Sequence, residues 1–146
     1  MTISLYIVLD IFPYNDPVSG EYIYKQPIII ENMPIKKWVN LIIRCNAQNI
    51  VDIFINGSLM KRVKLYNSIK QNYDDVYVSA NGGFDGFLSN IKYWNYAIGT
   101  FEIDNMVNAG PNLKMSKEDS LNKSKPEIPI SREPSPNLSI ISLACK

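Results

Sequence analysis

The chain has 146 residues, 46% of them apolar and 20% charged, with 15 basic side chains against 14 acidic ones and a net charge of +1. That length holds one domain and a tail, and the balanced charge gives no strong pull toward nucleic acid or an anionic membrane. Histidine is absent, which excludes Ser-His-Asp, Cys-His and HExxH chemistry and leaves carboxylates or lysine for any catalysis.

In chain order, the first expected element is a strand over 2–12. MTISLYIVLDIF is apolar but has no basic leader and carries Asp10, so it reads as a strand rather than a secretory signal. No apolar run approaches the roughly 20 residues of a membrane span, so no span is expected. Further strands are expected over 21–31, 38–45, 50–55, 59–65, 75–80 and 86–96, several of them from apolar alternation with a period of two. Val39, Leu41, Ile43 and Cys45 fall on one face, with Trp38, Asn40 and Arg44 on the other. Val51, Ile53 and Ile55 alternate with Asp52, Phe54 and Asn56. Asn56-Gly57 then predicts a two-residue type I′ hairpin, since both positions must take positive φ. On the returning strand, Leu59, Val63 and Leu65 are expected opposite Met60, Arg62 and Lys64.

One helix is expected after Gly99. Thr100 is placed as its cap, Glu102 suits its positive end, and Ile103, Met106 and Val107 form an apolar stripe. Gly110 followed by Pro111 ends it. Short strands at regular spacing with turns between them favour a sandwich or barrel over alternating β/α units.

Composition changes near Leu113. Beyond it the chain is rich in Ser, Pro and Lys, and Pro126, Pro129, Pro134 and Pro136 disfavour a packed element. The reading is therefore a β-domain over 1–113 and an extended arm over 114–146. The arm ends in Leu138, Ile140, Ile141, Leu143 and Ala144, a run that either folds back as an edge strand or docks on a neighbouring subunit. Docking is the reading adopted, with Leu138, Ile140, Ile141 and Leu143 as the anchor. Cys45 and Cys145 are expected as free thiols.

Three stretches carry a resemblance. WVNLIIRC from Trp38, VDIFINGSLMKRVKL from Val51 and GGFDGFLSNIKYWNYAI from Gly82 resemble, in order and spacing, the concanavalin A-like lectin/glucanase superfamily of laminin-G type. The likeness covers roughly residues 27–113. PIKKW, DIFING, NGGFDGF and YWNYA look like copies found in large nucleocytoplasmic DNA viruses. The resemblance implies an all-β fold: an antiparallel two-sheet sandwich, or jelly roll, with one short helix. Members of that family bring more strands ahead of this region, so the sandwich is expected to be trimmed at its front or completed at an open edge by another chain.

Glucanases of this superfamily use closely spaced carboxylates on one strand, and no E-x-D-x-x-E run exists here. Asp74, Asp75, Asn81 and Asp85 lie near turns, but calcium wants six or more oxygens, and no metal ligand or other cofactor is assigned. Trp94, Tyr96, Tyr77 and Phe54 are candidate aromatics for a glycan platform, with core or protein contact the preferred reading. Arg62 and Lys64 share a face and read as a solvated edge or a partner contact, not a nucleic-acid patch.

The expectation is a non-enzymatic viral structural protein. It would be a minor capsid or capsid-associated component, assembled in the host cytoplasm into the virion. Its partners would be major and minor capsid proteins, bound through sheet edges and the arm. The alternative is a carbohydrate-binding, lectin-like module.

Overall fold

The computed structural model describes residues 3–34, 36–73, 75, 77, 86–113 and 140–145. Among these described residues seven strands and one helix follow one another: β1 (Ile3–Asn15), β2 (Tyr22–Met33), β3 (Lys37–Cys45), β4 (Ile50–Ile55), β5 (Ser58–Lys64), β6 (Gly86–Leu88), α1 (Thr100–Ala109) and β7 (Ile140–Cys145). They form two antiparallel sheets. One is the β1–β2 hairpin, and the other has the order β5-β4-β3-β7-β6. The protein is all-β with one short helix, as its alternation predicts.

The hairpin lies on one face of the larger sheet. Leu9, Ile11, Ile28 and Ile30 meet Val39, Leu41, Ile43, Cys45, Val51, Ile53, Ile55 and Leu65 in one continuous core, with Val63 and Ile69 packed at its margin. The alternation in β3 and β4 therefore assigns the inward face correctly. Gln26 bonds the two layers together at one end. Its amide nitrogen donates to the Lys64 carbonyl (3.3 Å), and its oxygen accepts from the Tyr66 N–H (3.0 Å). This partnering lets a polar side chain sit buried in an apolar seam.

The opposite face is also covered. Ile42, Phe54, Ile98 and Ile103 form a second, smaller core, flanked by Trp94 and Met106. The expected apolar stripe of α1 thus serves to roof this face. Gly110 takes φ +66° and donates its N–H to the Val107 carbonyl, ending the helix as expected. Thr100 does not cap it. Gly99 holds the cap position with no side-chain hydrogen bond, because the chain enters one residue earlier than the Thr preference suggests.

Asn56 (φ +50°) and Gly57 (φ +82°) make the predicted turn between β4 and β5. Asn56 also fixes the turn to the next strand. Its side-chain oxygen accepts from Asn40 N–H (2.8 Å), and its own N–H donates to the Asn40 carbonyl (2.9 Å).

Four further expectations change. A bulge between the Ile53–Lys61 and Phe54–Leu59 pairs makes Met60 the extra residue. Leu59 therefore does not share the face of Val63, and Lys61 takes the core-side position instead. The strand expected over 86–96 stops at Leu88. Asn90 turns into the left-handed region (φ +52°), and a bend follows at Asn95–Tyr96. Of the strand expected over 75–80, Asp75 and Tyr77 belong to no regular element, and the rest lies outside the described residues. The terminal run has a seat in the chain's own sheet: β7 pairs along its length with β3 and, through Gly86–Leu88, with β6. The backbone of a central strand must bond on both sides, and the apolar, β-branched Ile140–Cys145 stretch satisfies β3 from within the chain.

Candidate interaction surface

The β1–β2 hairpin covers the core with one face and presents the other to solvent. Its register sets Leu5 against Ile30, Ile7 against Ile28 and Leu9 against Gln26 on the inner face. On the outer face Tyr6 stands opposite Ile29, Val8 opposite Pro27 and Asp10 opposite Lys25. Tyr6 is 61% exposed, Ile29 46% and Val8 44%, so three consecutive outer rows begin with two that are aromatic or aliphatic and carry no charge. Tyr22 and Tyr24 are also exposed, with ring centroids 6.4 Å apart, and Lys70 Nζ sits 5.7 Å from the Tyr24 ring.

A strand whose outer and inner positions are both apolar belongs in the middle of a layered structure. Here, among the described residues, only one side of it is layered. The hairpin edges are also open over much of their length. Residues 68–70 border β1 at Asp10–Phe12 through the Ile11–Ile69 bridge, with Phe12 N–H donating to Ser68 O (2.8 Å) and Lys70 N–H to Asp10 O (2.9 Å). Among the described residues no other strand pairs with β1 or β2. Lys61 Nζ donates to the Ile29 carbonyl (2.9 Å) on the β2 edge. The loop joining the strands is closed by Asp16, whose carboxylate accepts from Val18 N–H (3.1 Å) and Ser19 Oγ (2.8 Å). Those bonds hold its pKa below the usual carboxylate value.

The residues singled out from sequence are dispersed. Trp94 is half-buried against the second core, and its indole N–H is buried without a hydrogen-bond partner among the described residues. Tyr96 meets it edge-on (centroids 5.8 Å, 66°) and is 49% exposed. Phe54 is core, and Tyr77 is exposed. Trp94 therefore packs as the core reading has it, leaving Tyr96 as the outer ring of the pair.

Arg62 and Lys64 do share a face, yet both act internally. Arg62 donates to Asp52 through Nε (2.5 Å) and Nη2 (3.0 Å), and Lys64 Nζ donates to the Gln48 carbonyl (2.5 Å). Arg44 completes a cross-strand row by donating to the second Asp52 oxygen (2.7 Å) and to Ile98 O (3.2 Å), while lying 5.0 Å over the Phe54 ring. The Arg62 and Arg44 bonds hold the Asp52 carboxyl below the usual range against the opposing effect of burial. An ionised carboxylate with both oxygens occupied is an acceptor only, which suits structure better than proton transfer.

Ile140, Ile141 and Leu143 occupy β7, and Leu138 lies outside the described residues. Asp74, Asn81 and Asp85 also lie outside them. Among the described residues no group of three or more His, Cys, Asp or Glu could hold a metal ion, and no helix is long and apolar enough to cross a membrane. Cys45 is a free, buried thiol, and burial with the nearby Asp52 charge raises its pKa to about 11.

The hairpin's outer face is not among the surfaces expected from sequence. Its signal was available: in YIVLDIF and YKQPIII both alternate sets are largely apolar, so two faces ask for cover. Compared with models of protein families, with curated proteins and with solved structures, the chain matches none.

Proposed function

We propose that this chain is a structural, adhesive protein that joins an assembly through the outer face and free edges of the β1–β2 hairpin. The observation carrying this reading is the pair of apolar rows, Tyr6–Ile29 and Val8–Pro27, on the uncovered side of a two-stranded sheet. Contiguous exposed apolar surface rimmed by polar groups marks interaction sites, and Asp10, Lys25 and Glu31 supply such a rim. A trimmed sandwich of concanavalin A-like type, completed by a neighbour's strand or face, accounts for the two-stranded layer.

Following the viral resemblance, the neighbours are capsid proteins and the chain is a capsid-associated component. The resemblance is the support for that narrower assignment. The glycan alternative loses its strongest ring, since Trp94 packs inward.

The test is incorporation. Val8→Lys with Ile29→Lys changes only outer positions, so far-UV circular dichroism and thermal midpoint should stay near those of the native chain. Incorporation into assembled particles is expected to fall about tenfold or more, the effect of losing roughly 1.4 kcal/mol or more of contact. Undiminished incorporation of the folded double variant overturns the proposal.

A further inference from the structure

One interior strand of the larger sheet reaches its place from far along the chain. β7 pairs with β3 over six register positions, from Lys37–Cys145 to Ile42–Ile140, and with β6 over three, from Gly86–Cys145 to Leu88–Leu143. It fills the gap between β3 and β6, where no other strand among the described residues pairs with the Lys37–Ile42 stretch of β3 on that side. Residues 114–139, 26 positions of Ser-, Pro- and Lys-rich sequence, separate it from the body. A chain of that length reaches up to about 85 Å when fully extended, more than the diameter of a domain this size.

From this arrangement we infer that the β3–β6 gap is a strand-acceptor site whose second occupant is residues 140–145 of another copy of this chain. The bonds β7 makes are the same whether it arrives from its own body or from an identical one, so the choice is set by concentration. A strand on a long tether competes at an effective concentration on the order of 1 mM. Reciprocal exchange closes a two-fold dimer, and one-way donation builds an open chain of subunits. This inference is independent of the hairpin surface, which lies on the other layer: either can fail while the other stands.

The register supplies the test, because Lys37 and Cys145 are cross-strand partners at a separation that suits a disulfide. One full-length chain carries Lys37→Cys and Cys145→Ser; a second, tagged chain keeps the native sequence. The two are unfolded together, refolded at about 1 μM and at about 0.5 mM, oxidised and separated without reductant. Disulfide-linked heterodimer is expected at well under 1% at the lower concentration and at tens of per cent at the higher. A Lys37→Cys chain alone at about 1 μM should close internally, verifying the seat of the strand.

A control acceptor, Lys64→Cys with Cys145→Ser, places its thiol on β5 at the far edge of the sheet and should give no concentration-dependent product. Three results overturn the inference: no heterodimer at about 0.5 mM while the single chain closes, equal heterodimer with the Lys64→Cys control, or failure of the single chain to close.

Discussion

The two faces of the five-stranded sheet are built differently. Toward the hairpin, Val39, Leu41, Ile43, Val51, Ile53 and Ile55 interlock with an equally aliphatic partner layer. Toward α1, the four buried residues Ile42, Phe54, Ile98 and Ile103 share the surface with an Arg44–Asp52–Arg62 row. The first face is shaped by apolar burial, which is large and undirected. The second has less apolar area and uses oriented charge, with Arg44 linking Asp52, the Phe54 ring and the Ile98 carbonyl. The difference teaches where stability resides and where geometry is specified.

That contrast can be broken most directly at Ile53, which is fully buried on the aliphatic face. Ile53→Ala is expected to cost about 3–4 kcal/mol, read from denaturant unfolding, since neighbours on both layers hold the cavity open. Ile103→Ala, under the helix, should cost less, about 2–3 kcal/mol, because a single helix relaxes toward the gap more easily than a sheet. Equal losses would show that the two faces contribute alike.

The charged row comes next. Asp52→Asn keeps the shape but leaves two guanidinium groups without their anion, and about 2 kcal/mol of destabilisation is expected, less than for a fully buried pair because Arg62 is mostly exposed. The same change should alter the acid limb. The Asp52 pKa is lower folded than unfolded, so its contribution is present above the unfolded value near 4 and is lost as pH falls through the folded value. Native stability should therefore fall below about pH 4, and Asp52→Asn should flatten that fall.

Gly57→Ala is expected to cost about 1–2 kcal/mol, since φ is +82° and the new methyl would stand 3.4 Å from Val107 Cγ2. The smallest effect concerns Cys45. Its pKa is raised, so the protonated form is favoured by folding. Stability is unaffected below the unfolded value near 8.5 and declines as pH climbs toward about 11. Alkylation of Cys45 at pH 7.5 should proceed only as fast as the protein opens.

Much of the fold is legible in the sequence because it is local. Asn56-Gly57, Gly110-Pro111 and the alternation of β3 each depend on neighbours within a few residues. What was illegible is non-local. No local signal marks Met60 as the bulged residue, and Ile42 reads as one more strand residue until α1, more than fifty positions later, covers it. The basic pair is legible, but its acceptors, Asp52 and the Gln48 carbonyl, come from another strand and a turn. The apolar terminal run is legible too, and its β character is what puts it into the sheet, yet nothing local says which chain's sheet receives it.

The position of β7 has a consequence for biosynthesis. Ile42 and its strand partner Ile140 stand 98 positions apart. At about 5–20 residues per second, translation delivers the second roughly 5–20 s after the first. Throughout that interval the nascent sheet has a vacant lane beside β3, so a ribosome pausing within the proline-rich tract would prolong the time during which chaperones, or a sister polypeptide on the same message, can reach it.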